Sequence, residues 1–137
     1  MVQQAAAIPF CRRDDGVYVC LIRRRESEYW SIPKGFIDPG DTREETALNE
    51  AWEEAGLRGQ LVGEAIGTYQ YVKFRSKLTV AVYMMEVHAE ERDWQEARLR
   101  ERRWHPLDEA MTLLEGHPVQ PLLARAIAIV RGWRPQA

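Results

Sequence analysis

The sequence predicts a single domain of mixed strands and helices, in the α/β (α+β) class, and three observations carry that reading. The chain has 137 residues, close to the ~150 of one ordinary domain, so a second independent domain is not expected. Apolar residues make up 45% and charged residues 29%, the ordinary globular range, and a chain of this length can bury one sizeable core. Finally, runs rich in apolar and β-branched residues flank a segment, Thr42 to Ala55, whose apolar residues return at helical spacing.

Gln4 to Arg12 and Val17 to Arg24 are two such runs, and Asp14-Asp15-Gly16 between them supplies an Asp-Gly turn, so the pair reads as a hairpin. A loop follows from Glu26, with a short apolar touch at Tyr29 to Ile32. Pro33, Gly35, Pro39 and Gly40 then argue against both helix and central strand. In the next segment Thr42 and Glu45 form a capping box, and Gly56 is placed to stop the helix. Ala47, Leu48, Ala51, Trp52 and Ala55 make its core-facing stripe. Gly59 to Tyr71 and Leu78 to His88 read as strands joined by a basic segment with Lys73, Arg75 and Lys77. Ala89 to Arg103 reads mostly as loop, ahead of a short strand around Trp104. Pro106 suits the first turn of a helix that reaches Leu114 and ends at Gly116. A last helix runs from Val119 or Pro121 to Arg131.

Nineteen Lys and Arg against 21 Asp and Glu leave a net charge of −2. That balance argues against a nucleic-acid coat or a polybasic membrane binder, so neither partner is expected and any anion must be held locally. Cys11 and Cys20 are too few for a disulfide framework and are expected to be reduced, buried and structural. The first residues lack a basic segment, and the apolar run Ala5 to Cys11 is shorter than a signal core. No stretch approaches the roughly 18 apolar residues of a membrane span. The expected location is the cytoplasm.

Glu50, Glu53 and Glu54 lie at i, i+3 and i+4 of the predicted helix and project from one face, nearly opposite the apolar stripe. Like charges at these spacings repel by a few tenths of a kcal/mol per pair, and no Lys or Arg of that helix is spaced to relieve all three. A solvated acidic face is the bland alternative. The preceding Gly/Pro loop changes the balance, because Lys34 offers an ammonium and the loop offers backbone N–H groups to phosphate. Carboxylate and phosphate oxygens with retained water form the usual shell of Mg²⁺. Acids beside a phosphate-shaped loop point to metal-assisted phosphoanhydride chemistry.

The stretch Gly35 to Leu57, GFIDPGDTREETALNEAWEEAGL, resembles the box of the Nudix hydrolases, G-x5-E-x7-R-E-U-x-E-E-x-G-U with U bulky and aliphatic. Gly35, Glu50, Glu53, Glu54, Gly56 and Leu57 match, with small Ala51 at the first U. The resemblance implies a Nudix-type α/β/α sandwich, a mixed sheet between helices, over residues 1–137. It also implies a hydrolase using Mg²⁺, with Mn²⁺ the alternative. Glu53 and Glu54 would be the principal ligands, and Glu50 a ligand or the group that orients or deprotonates water. The Gly35 carbonyl would be a further ligand. Asp41 and Asn49 depart from the family's Glu and Arg, and a hydrogen bond between them would brace the loop. Arg103 stands before Trp104 where the family often has another acid, which leaves Glu101 as a substitute.

Trp30-x-x-Pro33-Lys34-Gly35 is similar to hydrolases of diadenosine polyphosphates and diphosphoinositol polyphosphates. Arg103-Trp104, Glu109-Ala110 and His117-Pro118-Val119-Gln120 are similar to the diphosphoinositol branch, with His117 in place of a Lys. The expected partner is a small polyphosphate, gripped by Lys34, by Arg23 and Arg25 from the group Arg23 to Arg25, and by Arg75, Lys77 and His117, with Lys73 nearby. Trp30, Trp94, Trp104 and Trp133 are expected to pack, while Tyr69 or Tyr71 is placed to flank an adenine. A nucleoside triphosphate housecleaning pyrophosphatase, an RNA 5′ pyrophosphohydrolase and a catalytically silent binding domain are the alternatives. Oligomeric state is open between monomer and homodimer.

Overall fold

A computed structural model describes residues 1–132. Strands β1 (Gln4–Arg13) and β2 (Gly16–Arg24) form the expected hairpin, with Arg13 paired to Gly16 across a turn at Asp14 and Asp15. A short strand, β3 (Lys34–Phe36), then pairs with the start of β1. The Pro/Gly signal argues against helix and central strand, and β3 is neither, since it pairs only with β1 off the main path of the sheet. Three residues suffice because Pro33, which has no N–H, sits just before the strand and lends its carbonyl to the Ala7 N–H at 3.1 Å. Helix α1 (Arg43–Ala55) carries both halves of the Thr42/Glu45 capping box and ends on Gly56 in the left-handed region, φ 67°.

Strands β4 (Leu57–Lys73) and β5 (Ser76–Glu90) are longer than the sequence suggested. Register shifts at Arg58/Gly59 and Val62/Gly67 let one twisted ribbon bend around the core. Strand β6 (Arg100–Pro106) begins before the stretch expected as loop has ended, because it pairs with β2 over its full length. Helices α2 (Leu107–Leu113) and α3 (Gln120–Gly132) close the described chain.

The sheet runs β4-β5-β1-β2-β6, with β3 beside β1 and with β1 parallel to β5. Alternate residues of β1 therefore feed two cores. Ala5 and Ala7 face Ala47, Ala51 and Ala55 of α1, and these small side chains let helix and sheet approach closely. Ala6, Ile8 and Phe10 face Leu107, Leu114, Leu123 and Val130 of α2 and α3. This is a mixed sheet between helices, as expected. No helix among the described residues is long and apolar enough to cross a membrane. Cys20 is buried, and burial pushes its thiol up to about 12, whereas Cys11 is only partly covered; neither is bonded to the other. Trp133 lies outside the described residues.

Candidate active site

The three glutamates of α1 do not all face water, so the bland alternative of a solvated acidic face does not hold. Glu54 is 8% exposed, while Trp52 of the apolar stripe is only partly buried and carries the Arg58 guanidinium over its ring. The reason lies in the loop before α1, which folds back over the helix. The backbone N–H of Lys34 donates to Glu54 Oε1 at 3.0 Å. Gly35 lies against Glu50 so closely that an added Cβ would stand 2.2 Å from Glu50 Oε1. No side chain larger than hydrogen fits there while Glu50 stays in place.

Arg100, the first residue of β6, and Glu96, in the segment before it, are two residues that the sequence reading missed. Arg100 donates to Glu54 Oε2 at 3.2 Å and to Glu96 Oε1 at 2.6 Å. Glu96 donates its backbone N–H to the Glu53 carbonyl at 3.1 Å, and the Trp94 indole donates to the Glu54 carbonyl at 3.0 Å. These bonds seat the segment against the exposed carbonyls at the end of α1. Neither residue has a local motif; the pairing of β6 with β2 places Arg100, and the bonds to the end of α1 place Glu96. Glu101, the acid proposed from sequence, instead pairs with Arg23 at 2.8 Å and Arg103 at 2.7 Å.

The electrostatics follow. Burial pushes the Glu50 carboxyl up to about 8, assisted by the charges of Glu54, Glu53 and Glu96 and opposed by Arg100. Burial also raises Glu54, while Arg100 and the Lys34 N–H hold it down. Among the described residues no three carboxylates stand as a finished ligand shell, because Arg100 bridges two of them. The donor set still fits a hard divalent cation: it is all carboxylate oxygen, Glu53, Glu54 and Glu96 are close enough to act on the charge of Glu50, and Arg100 bonds only Glu54 and Glu96. Asp41 and Asn49 do not meet; Asn49 is exposed and borders a different hollow with Trp52, Leu57 and Arg58. The guanidinium beside Glu54 and Glu96 is that of Arg100, from another part of the chain.

The basic residues separate into two groups. Lys34 Nζ donates to Tyr71 Oη at 3.2 Å and lies 4.6 Å above that ring, and Tyr71 donates to buried Gln4 at 2.7 Å. Strand alternation puts Lys73 on the face of Tyr71 and sends Lys77 to the other face, beside Val72. Arg75 is exposed at the turn. Arg23 is fastened to Glu101 over the Trp30 ring, and Arg25 donates to the Ala97 carbonyl at 2.9 Å, so both are engaged within the protein. His117 accepts from the Val119 N–H at 3.0 Å through Nδ1 and places Nε2 3.2 Å from Ser31 Oγ. Burial, with Lys34 nearby, lowers its pKa, so the geometry makes it a neutral strut and not a phosphate-binding cation. Tyr69 is 7% exposed and packs edge-on against His117, and Tyr71 is covered by Lys34. Neither offers the open ring face that was expected to flank an adenine. Trp30 is buried, while Trp94 and Trp104 are partly covered and donate to Glu54 and Glu90.

The profile described as the NUDIX domain matches residues 1–126. Nudix hydrolase 4 of Arabidopsis thaliana is 38% identical over 69% of this chain, which spans 46% of that relative. Diphosphoinositol polyphosphate phosphohydrolase 3-alpha of Mus musculus is 26% identical over 84% of the chain and is spanned to 70% of its length. A crystal structure of a C. elegans Ap4A hydrolase superposes with a TM-score of 0.77 at 19% identity, covering 97% of this chain and 100% of that one. The last likeness is one of fold.

Proposed function

Since the chain belongs to the Nudix hydrolase family, we propose that it hydrolyses a phosphoanhydride bond in a nucleoside diphosphate-X type substrate, a diadenosine polyphosphate or a diphosphoinositol polyphosphate. Nudix hydrolases work with divalent metal ions, and here the ion is taken to be Mg²⁺, with Mn²⁺ as substitute. The observation that carries the reading is the seating of Glu50 and Glu54 against the Lys34-Gly35 loop, with Glu53 and Glu96 near enough to act on the charge of Glu50. Glu53, Glu54, Glu50 and the Gly35 carbonyl would hold the ion. Bound there, it supplies charge neutralisation for the phosphates and a lowered pKa for an attacking water.

The chain's own groups do the rest. Glu50, whose surroundings favour taking up a proton near neutrality, is suited to accept one from the water. Arg100 holds Glu54 and Glu96 in a fixed relation. Lys34, presented on Tyr71 and Gln4, with Lys73 and Arg75 further out, meets the phosphate row. Free Cys11 and Cys20 support a reducing compartment, the cytoplasm.

The test is a substrate panel with Mg²⁺: dinucleoside polyphosphates, diphosphoinositol polyphosphates, oxidised nucleoside triphosphates and capped RNA. Release of phosphate products from one of the first two classes, lost in Glu53→Gln with the fold retained, is the expected result. Preference for an oxidised triphosphate would replace the reading with a housecleaning one. No turnover of any substrate would leave a silent binding domain.

A further inference from the structure

The hairpin of β4 and β5 turns on two residues, Phe74 and Arg75, between paired Lys73 and Ser76. Both have positive φ, 50° and 65°, the backbone of a two-residue turn that ordinarily takes Asn-Gly. Phe74 is poorly suited to that conformation, and its ring is 90% exposed. An unfavourable backbone that holds a large apolar side chain in water points to a use for that side chain. Phe36, one residue past Gly35, is 53% exposed. The two rings line one hollow of about 260 Å³ with Lys73, Ser76 and Leu78. Phe36 pairs with Gln4, so it lies on the same face of the sheet as Lys34 and Tyr71. The hollow is thus mostly apolar, adjoins the candidate catalytic loop and has the Lys73 ammonium in its lining. It is smaller than the usual pocket for a drug-sized ligand, and its size suits one planar ring system.

We infer that Phe36 and Phe74 form a stacking site for the nucleobase of a polyphosphate substrate, with Lys73 and Arg75 holding the phosphates that lead to it. The inference rests on the phosphoanhydride reading and narrows it, since an inositol ring has no flat π-face to stack. Charge complementarity supports this occupant: Lys73 Nζ lies 5.5 Å from the Phe74 ring centre, where a base on that ring would bring its phosphates beside the ammonium. Tyr69 and Tyr71 are excluded as the platform by burial and by the Lys34 cover described above.

The experiment measures binding by calorimetry for two probes, methylene-bridged diadenosine tetraphosphate and inorganic tripolyphosphate, in the presence of Mg²⁺. The proteins are the wild type, Phe74→Ala, Phe74→Trp and Phe36→Leu. Phe74→Ala is expected to weaken the adenosine probe about 10-fold, within the range for loss of one base–aromatic stack, and to leave tripolyphosphate unchanged. Phe74→Trp should restore affinity, and its indole fluorescence should be quenched by the adenosine probe alone. Phe36→Leu should act in the same direction as Phe74→Ala. Equal losses for both probes, no loss for either, or failure of the wild type to bind the adenosine probe more tightly than tripolyphosphate would overturn the assignment. Selective binding without hydrolysis of diadenosine tetraphosphate by the wild type would support the stacking site and count only against the catalytic reading.

Discussion

Replacing Glu50 with Gln should stabilise the metal-free protein while removing its activity. In the unfolded chain this carboxyl releases its proton near 4.5, and in the folded protein only near 8. Between those values the native state holds more protons than the unfolded one, so stability falls as pH rises through the window and is lowest above it. The span from 4.5 to about 8, at about 1.36 kcal/mol per pH unit, sets a ceiling of roughly 5 kcal/mol. Glu50 is only half-buried, and solvent screening reduces that to about 2 kcal/mol. Glutamine keeps the shape and does not titrate. In EDTA at about pH 9 the variant should therefore melt roughly 5 °C above the wild type, since a domain near this size shifts by a few degrees per kcal/mol. At about pH 4 both states of the wild type are protonated, and the advantage should vanish. Added Mg²⁺ should raise the wild-type melting point and narrow the gap at the higher pH. If the variant melts no higher than wild type at about pH 9, or keeps the same advantage at about pH 4, the electrostatic account of the carboxylate cluster is wrong.

Gly35→Ala places a methyl where Glu50 Oε1 now lies; because that oxygen ends a flexible side chain, the melting point should move little while kcat falls at least 10-fold, a loss of about 1.4 kcal/mol of transition-state stabilisation. Arg100→Met removes the partner of buried Glu54 and of Glu96, and should cost about 3 kcal/mol in denaturant unfolding at neutral pH, with much of the loss recovered in Arg100→Met/Glu54→Gln. Additivity of those two substitutions would show that the pair is not coupled. Thr42→Ala removes the cap on the Glu45 N–H and should lower stability by about 1 kcal/mol without changing KM.

The α1 region was legible because its signals are local. The capping box, Gly56 and the spacing of Glu50, Glu53 and Glu54 all lie within one segment, and the structure keeps them. What surrounds that segment was not legible. Glu54 is buried by a loop N–H from Lys34 and a guanidinium from Arg100, residues 20 and 46 positions away, and no periodicity encodes such meetings. The same applies to Lys77 and Lys73, since strand register decides which of two neighbouring lysines shares a face with Lys34. His117 shows a different failure. Residue type suggested a titrating phosphate ligand, but a backbone N–H from Val119 occupies the nitrogen that would have to take up the proton.

The parallel pairing of β1 with β5 also constrains how the chain can fold. β1 finds β2 through a tight hairpin, yet its other edge must wait for a partner far along the chain, with Gln4 opposite Val80 and Phe10 opposite Glu86. During synthesis the apolar edge Ala5 to Ile8 therefore stays unpaired until β5 has emerged, and closing so long a loop is slow. A bare strand edge of this kind is a template for association between chains. Slower unfolding of β5 would not help, because the exposure precedes the native state; faster β4–β5 hairpin formation would. The positive-φ turn at Phe74 and Arg75 therefore bears on yield as well as on recognition. Asn-Gly at that turn should accelerate hairpin closure and raise the soluble fraction on rapid expression, at the expense of the ring at the tip.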